Sequence, residues 1–414
     1  MSAVTASRVA APMSAPPLRL IIGLGGLYVG QSVIGGVIFT GLPAVMRQNG
    51  ASLNDIALIL LTVLPWSFKF LWAPALERFR SPHGARRRSR LTIGLVGPFA
   101  VGAVVACALI GPTALGPLTI AMMVASFSSA TIDIACDGHA VESLAEQNRG
   151  WGNAAQVGGA YLGSAIGGGL FLVMIDHWGW RPSALIMAGV LVALAAPFLL
   201  MPDDAPAAAA DRPRQSLMRA FRRPQVQAGL LLVAVYVLGQ KWAMVLIGPY
   251  LVDAGLSLTT IGSVNGIGVT ALGLAGALGG GWVLKRISAF RVMAWALAAQ
   301  LAVMFAFALT ASLGGTSATV LIGLSLTSSG ALALGFTALY AELMGSSSLD
   351  QAGVDFTLFQ SADAIVSLIG WRLAGSFGDV LGYGFCFGAA GLFGLLALSL
   401  MPWLRRRNDR ATLA

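Results

Sequence analysis

The chain has 414 residues, of which 57% are hydrophobic and only 10% are charged, and its mean hydropathy is +0.79. A soluble domain is about half apolar and about a quarter charged, so this composition excludes a soluble globule and favours a protein that crosses a bilayer as helices. The net charge of +9 suggests a nucleic-acid partner, but the basic residues lie in short loops between apolar stretches, so we predict no nucleic-acid binding.

The chain begins with a Pro/Ala/Ser-rich segment, residues 1–17, that lacks the apolar centre of a cleaved signal peptide. Apolar stretches of helix-spanning length then recur along the whole chain and predict an all-α integral membrane protein. The twelve predicted transmembrane helices are 19–45, 54–76, 91–111, 117–143, 151–174, 183–201, 226–250, 258–284, 291–312, 317–343, 353–375 and 384–404.

The longest segment between spans is the Pro-rich, basic stretch 202–225, which divides the helices six and six. We therefore predict two pseudo-symmetric six-helix lobes joined by this linker, an architecture typical of secondary transporters. The predicted units are an N-terminal tail 1–18, an N-lobe 19–201, a linker 202–225, a C-lobe 226–404 and a C-terminal tail 405–414.

The distribution of basic residues predicts the orientation. Loops on the side of the two termini and the tails themselves contain 21 of the 26 Lys and Arg residues, so the positive-inside rule places both termini in the cytoplasm. The two halves also share the pattern G-x-S-L-x-x-I, at Gly50 to Ile56 and Gly255 to Ile261. Glu142 and Glu342 each end the fourth span of their half, which supports an internal repeat.

Three stretches carry a family resemblance. "LPWSFKFLWAPALERF" (64–79), with the basic loop that follows it, "ATIDIACDGHAVESL" (130–144) and "QAGVDFTLFQSADAI" (351–365) resemble the second, fourth and eleventh helices of the muropeptide-permease branch of the major facilitator superfamily. Within that branch they are most similar to inner-membrane siderophore permeases of the pyochelin and rhizobactin type. The resemblance implies a multi-pass protein of the bacterial inner membrane with the two-lobed major facilitator fold.

The same resemblance implies a function. We expect a monomeric transporter that imports a ferric siderophore of the pyochelin-like aryl kind from periplasm to cytoplasm, driven by the proton gradient, with the lobes alternating in access. The iron would enter as part of the cargo, so we predict no cofactor and no protein-bound metal. A proton-coupled muropeptide permease, or an exporter of drugs or siderophores, is the alternative.

The fifth span bears on the choice between import and export. Its glycines, among them Gly159, Gly163 and Gly167, have the spacing of a motif found in drug–proton antiporters, but Ser164 stands where that motif has proline. Small residues four apart also let two helices pack closely in lipid, which is the structural interpretation. The direction of transport therefore stays open.

The fourth span contains four ionisable residues, although a charge at bilayer depth costs about 2.5–3.5 kcal/mol on insertion scales. Asp133 and Asp137 are four residues apart and share one helix face, which predicts that both face a central cavity as proton-coupling residues. The alternative is a carboxylate locked to a neighbouring Lys or Arg. His139, on another face, is interpreted as a packing residue bonded to Glu142 or as a proton relay.

Acidic and basic residues at the cytoplasmic end predict a gate. Glu142 lies at the depth of the basic loop after the second span, so we expect a latching salt bridge there. Glu77 and Arg78, and Glu342 in the second half, are assigned to the same gating set.

The cations within spans predict the ligand site. Lys69 and Lys241 lie deep and are candidate partners for a carboxylate or for an anionic ligand, whereas Arg372 lies near a span end from which its side chain can also reach the headgroups. Flat apolar walls with a few fixed polar groups suit an amphipathic, aromatic, partly anionic molecule. A muropeptide would need more hydroxyl-reading side chains than these stretches contain. The remaining predicted binding residues are Trp66, Tyr236, Gln240, Trp242, Phe359, Gln360 and Asp363.

An integral-membrane enzyme is the rival class. It would need converging metal ligands, a nucleophile motif or a cofactor loop, and only one of the three histidines lies in a span. We therefore predict that the protein is not an enzyme. The three cysteines, Cys107, Cys136 and Cys386, lie in apolar segments without metal-site spacing and are predicted to pack in the core.

Overall fold

The computed structural model describes residues 18–49, 59, 61–82, 86–201, 214–256, 258–314 and 316–413. Within these residues the chain forms helices joined by short turns, and eleven helices are long and apolar enough to cross a membrane. The helices are α1 Leu18–Met46, α2 Ala73–Arg80, α3 Ser89–Ile110, α4 Leu115–Ser143, α5 Glu146–Trp178, α6 Trp180–Leu199, α7 Pro224–Asp253, α8 Gly266–Val283, α9 Ala289–Leu313, α10 Ala318–Ser346, α11 Ala352–Ala374 and α12 Val380–Asn408.

The all-helical class is confirmed, and the long helices fall on the predicted spans. The predicted second span begins outside the described residues, and so does the first copy of the G-x-S-L-x-x-I pattern, 50–56. Its described part contains Leu64–Phe68 and α2, separated by a 3-10 turn at Lys69–Leu71. Most of the predicted linker, 202–213, also lies outside the described residues, so the proposed lobe boundaries stay predictions.

Each half of the chain forms a bundle, and the two bundles meet along five central helices. In the first half α1 packs against α5 and α6, and α3 packs against α4. In the second half α7 packs against α11 and α12, and α9 packs against α10. Between the halves, α5 contacts α8 and α10, while α4 contacts α11. The exposed side chains on the outer helices include large apolar residues such as Leu95, Phe99 and Leu309, as expected of a surface that faces lipid.

Glycines on α5 allow it to approach α1 closely. A Cβ atom at Gly163 would lie 2.4 Å from the carbonyl oxygen of Val29, and one at Gly167 would lie 2.0 Å from that of Val33. No larger residue fits at these positions without separating the helices. Close backbone approach through small residues is a main source of helix association in lipid, so helix packing accounts for this part of the glycine spacing.

In the described part of the chain, three π-helical segments interrupt the α-helical pattern toward the end of the molecule opposite to Arg80, Arg149 and Arg223. They span Val37–Gly41 in α1, Ala165–Leu170 in α5 and Val264–Val269 at the start of α8. The segment of α5 contacts each of the other two. Because π-helical turns within α-helices commonly occur at functional sites, the contact between the segments of α5 and α8 marks one place where the two halves meet.

Candidate functional site

A cavity of about 540 Å³ lies between the two halves of the chain. Side chains from α1, α4 and α5 line one wall, and side chains from α7, α8, α10 and α11 line the other. The residues that line it are Tyr28, Gln31, Ser32, Trp66, Lys69, Asp133, Gln156, Val157, Ala160, Tyr161, Ser164, Lys241, Met244, Val269, Thr270, Leu332, Ala333, Phe336, Tyr340, Gln360, Asp363 and Ala364.

On the first wall, Lys69 forms an ion pair with Asp133 of α4. Both residues are almost wholly buried, with 2% and 3% of their surface exposed. The ammonium group of Lys69 also donates a hydrogen bond to the Gln360 side chain of α11, so it connects the two halves. It lies 5.5 Å from the ring of Trp66. An isolated buried charge is far costlier than a paired one, which explains why the two groups occur together.

On the second wall, the Nζ atom of Lys241 lies 3.7 Å from a carboxylate oxygen of Asp363. The hydroxyl group of Tyr340 donates a hydrogen bond of 2.6 Å to the same carboxylate. The ammonium group also lies 4.8 Å from the centre of the Phe336 ring, within the range of a cation–π interaction. Each half of the chain therefore contributes one lysine–aspartate pair and one aromatic face to the cavity.

Asp137 lies one layer behind the cavity wall. It is fully buried, and its carboxylate accepts hydrogen bonds from the Tyr28 hydroxyl, at 2.8 Å, and from the Gln156 amide, at 3.1 Å. Both donors line the cavity. Of the two aspartates predicted to face the cavity, Asp133 reaches it directly, and Asp137 is connected to it through these two side chains.

Four predicted binding residues pack within the second half and do not line the cavity. The hydroxyl group of Tyr236 donates to a backbone carbonyl of α9 at 3.3 Å, and Gln240 donates to the carbonyl of Tyr236 at 2.7 Å. Trp242 stacks on Phe377, and Phe359 is buried where α11 meets α7. These side chains project from cavity-forming helices, but toward neighbouring helices of the same bundle.

Arg372 is exposed on α11 and does not line the cavity. The hydroxyl and amide groups of α1 and α5 were not predicted as binding groups, because they carry no charge and do not adjoin the charged residues of the spans. Isolated Tyr, Gln and Ser residues within apolar stretches are the signal that would have found them. The missed cavity residues of this type are Tyr28, Gln31, Ser32, Gln156, Tyr161 and Ser164.

A buried cluster of charges lies at the arginine-rich end, which we define by Arg80, Arg149 and Arg223. The guanidinium group of Arg80, fully buried, donates to Glu77 at 2.6 and 2.9 Å and to Glu142 at 2.8 Å. Burial disfavours the charge of Arg80, but the two carboxylates outweigh it and raise its pKa above the usual value. The Nε atom of Arg87 lies 3.2 Å from Glu142. The cluster joins α2, α4 and the loop before α3.

Contacts between the halves close the molecule at this end. Asn153 of α5 lies 3.8 Å from the sulfur of Met344 on α10, and Gly353 at the start of α11 lies directly beside Glu77. The side chain of Arg78 donates to the backbone carbonyl of Gln215 at 2.8 Å. Glu342 accepts a bond from Asn408 at 2.5 Å, which ties α10 to α12 within the second half.

The last residues of the linker are attached to the start of α11. The Gln215 amide donates to the carbonyl of Asp350 at 3.4 Å, and the backbone N–H of Ser216 donates to Gln351 at 3.2 Å. A short helix, Leu217–Arg222, follows, and Arg223 then forms an ion pair with Asp355. This segment, residues 215–223, also carries the backbone group that binds Arg78, so it connects the two halves.

No group of three or more metal-ligating side chains occurs among the described residues. His139 packs edge-on against the ring of Phe198, 5.1 Å away, and its Nε2 atom lies 3.4 Å from the Ser143 hydroxyl. The three cysteines are free and buried.

Comparisons with known proteins agree with this architecture. The family model described as the Major Facilitator Superfamily matches residues 21–370. The anhydromuropeptide permease of Escherichia coli (strain K12) is 31% identical over 261 residues, which cover 61% of this chain and 52% of that protein. The chain thus spans about half the length of that relative. The putative transporter AmpG 4 of Rickettsia felis is 22% identical over 402 residues, 92% of this chain and 95% of that protein.

Two solved structures share the fold. A bacterial homologue of the iron transporter ferroportin, in an outward-facing state, superposes with a TM-score of 0.69 at 16% identity, over 94% of this chain and 99% of that chain. The human organic anion transporter MFSD10 (TETRAN) superposes with a TM-score of 0.72 at 14% identity, over 94% and 100%. On the family match and the two-bundle architecture, this chain belongs to the major facilitator superfamily, a family of transporters and not of enzymes.

Proposed function

We propose that the chain is a proton-coupled importer of small anionic glycan–peptide fragments of the muropeptide class, working by alternating access in a bacterial inner membrane. The observation that carries the proposal is the cavity between the halves, with one lysine–aspartate pair on each wall. A carboxylate of the cargo can take the place of an aspartate beside either lysine. A charge pair inside a spanning bundle is a functional-site hypothesis by default.

The lining of the cavity favours this substrate class over a purely aromatic one. Hydroxyl and amide groups surround the two charge pairs, and they are the groups that read sugar hydroxyls and peptide bonds. The sequence alone indicated too few hydroxyl and amide groups for such a substrate. The structure adds those of α1 and α5. The uncharged polar residues of the lining are Tyr28, Gln31, Ser32, Gln156, Tyr161, Ser164, Thr270, Tyr340 and Gln360.

The relatives support the same choice. The E. coli protein that is 31% identical over 61% of this chain is an anhydromuropeptide permease, and the matched Rickettsia proteins are putative transporters of the AmpG name.

A ferric aryl siderophore is the second candidate. It is favoured by the aromatic side chains of the cavity, since Trp66 and Phe336 present ring faces to the two lysines, and Tyr161 and Tyr340 add further rings. Such a cargo would carry its own iron, and the proposal assigns no metal to the protein.

We place the arginine-rich end in the cytoplasm, because the termini and their neighbouring loops contain 21 of the 26 basic residues. The contacts of Arg78 and Asn153 then form a cytoplasmic closure, and the cargo enters the cavity from the periplasm. Both termini are cytoplasmic in this proposal, and the transporter works as a monomer.

Proton coupling is assigned to the aspartates of α4. Protonation of Asp133 removes the charge that holds Lys69 and leaves that cation to the cargo. Asp137, connected to the cavity through Tyr28 and Gln156, is the second proton site.

The test is uptake by cells that lack this protein and are complemented with it. We expect accumulation of a labelled anhydromuropeptide that collapses when the proton gradient is dissipated. We expect Asp133→Asn to abolish it in protein that still folds, although with lower stability because Lys69 loses its partner. Accumulation of a labelled ferric siderophore instead would favour the second candidate. If the cells take up neither compound and instead export the dyes of a test panel, the proposal of import would be contradicted.

A further inference from the structure

A second cavity, of about 480 Å³, lies within the first half of the chain, between α1, α3, α4 and α6. Its residues on α3 and α6 include exposed ones, such as Pro98 and Val192, whereas its residues on α1 and α4 are buried, apart from the half-buried Gly26. The cavity therefore runs from an opening between α3 and α6 to a floor formed by α1 and α4. Exposed apolar side chains, Leu95 and Phe99, flank the opening, so it faces the bilayer.

Glycines on α3 leave this space open. A Cβ atom at Gly97 or Gly102 would meet no other atom within 4 Å, whereas one at Gly26 of α1 would lie 2.2 Å from the carbonyl oxygen of Leu194. Close packing thus requires the glycine on α1 but not the two on α3. The glycines of α3 therefore line the cavity but place no side chain in it.

Two polar groups without hydrogen-bond partners lie at the floor. The amide nitrogen of Gln31 and the hydroxyl of Ser129 are buried and unbonded, and both residues line the cavity. The residues are 6% and 1% exposed. Some other helical serines, such as Ser183 and Ser325, donate to the carbonyl four residues earlier, but Ser129 and its neighbour Ser126 do not. Buried polar groups are normally satisfied, so these two donors point to a ligand with an acceptor atom.

The remaining lining restricts the chemistry of that ligand. It consists of aliphatic side chains, glycine and proline, and it contains no Lys, Arg, Asp or Glu. A charged ligand would find no counter-charge among the lining residues, and an apolar one reaches the opening directly from the lipid phase. Arg90 lies at one end of the cavity, where its guanidinium group donates to the carbonyl of Leu199 at 3.1 Å.

We propose that this lateral cavity binds a neutral, apolar molecule dissolved in the bilayer, with a hydrogen-bond acceptor that meets Gln31 and Ser129. Gln31 also lines the central cavity, so the two sites share a wall. The lateral site does not depend on the identity of the transported cargo.

Photolabelling of the full-length protein in lipid nanodiscs with benzophenone tests the proposal, because this apolar ketone inserts into nearby C–H bonds on irradiation. We expect saturable labelling of α1, α3, α4 and α6. Gly97→Phe should reduce that labelling several-fold, since the ring fills the cavity. The matched control is Gly189→Phe on α6, where a Cβ atom also meets nothing within 4 Å but which lies outside the lining.

The acceptor is tested by competition. Fluorenone should reduce the labelling, whereas fluorene, which has the same rings without the carbonyl group, should not, and the difference should vanish in Gln31→Leu/Ser129→Ala. If Gly97→Phe lowers the yield of monodisperse protein, Gly102→Leu on the same wall replaces it. Equal labelling in the Gly97 and Gly189 variants would overturn the site, and equal competition by the two compounds would overturn the role of the donors.

Discussion

Buried charged side chains in this protein occur in groups of opposite charge, and the group around Arg80 is the clearest example. Its guanidinium group holds two glutamates that come from different elements, and all three side chains are fully buried. In such a set each charge depends on the others, because removal of one leaves an uncompensated charge that water cannot reach.

We therefore expect Arg80→Met to lower the free energy of unfolding by about 3–5 kcal/mol, as for other broken buried pairs. The readout is the thermal midpoint of the purified protein in detergent. Arg86→Met is the control, since Arg86 is an exposed arginine of the same loop region and should change the midpoint little. Equal midpoints for the two variants would show that the cluster does not stabilise the fold.

The pair of Lys69 and Asp133 is expected to behave as a unit. Lys69→Met should destabilise the protein because it leaves the carboxylate buried alone, and adding Asp133→Asn should restore part of that loss. A double-mutant cycle on the thermal midpoints measures the coupling, for which about 0.5–3 kcal/mol is typical of residues in contact. Additive single effects would contradict a direct pair.

At this scale the sequence locates the charged side chains of the cavity, but it does not predict what they touch. The cost of a charge in lipid singles out Lys69, Asp133, Lys241 and Asp363 from the sequence alone, and all four line the cavity. A helical period fixes the face that Asp133 and Asp137 share, but not the neighbouring helix. The hydroxyl of Tyr28 and the amide of Gln156 arrive from other helices and place Asp137 behind the wall.

Among the elements, α1 and α5 pack against each other with their backbones in close contact. The glycines of α5 bring it against α1 at distances that exclude any side chain. The spacing of Gly159, Gly163 and Gly167 predicts this contact in general terms. The π-helical segments were not predictable, because an extra residue in a helical turn leaves no mark on an apolar composition.

Gly167→Ala is expected to destabilise the protein by about 1–3 kcal/mol, the usual cost of overpacking a tight interface. The added methyl group would meet the carbonyl of Val33 at 2.0 Å. Gly169→Ala in the same segment is the control, because a Cβ atom there meets nothing within 4 Å. The comparison uses the thermal midpoint, and a midpoint as high for Gly167→Ala as for Gly169→Ala would show that the helices separate freely.

For the whole molecule, the structure is closed at the arginine-rich end, with a cavity between the halves. The composition predicts the membrane class, and the central basic linker predicts the division into halves. Both predictions depend on hydropathy and charge averaged over long stretches of the sequence. Which end is closed depends on a few side-chain contacts, such as Asn153 with Met344, and no sequence average contains that information.

A disulfide across this closure should hold the molecule in the state described. In a background without the three native cysteines, Asn153→Cys with Met344→Cys should cross-link on oxidation and stop transport, and a reductant should restore it. Each single variant under the same oxidation is the control and should keep its activity. Full transport by the cross-linked protein would mean that the halves need not separate at this end.

The attachment of residues 215–223 to α11 has a consequence for how the polypeptide can be divided. Gln215, Ser216 and Arg223 bind Asp350, Gln351 and Asp355, so this stretch is attached to the downstream half although it precedes α7. If the gene is cut just ahead of Gln215 and the two fragments are co-expressed, the second fragment retains the Gln215 carbonyl, which accepts the hydrogen bond from Arg78 of the first fragment. A cut placed after Arg223 would keep Arg78 and Gln215 on one fragment, and the contacts with Asp350, Gln351 and Asp355 would then have to form between the two fragments.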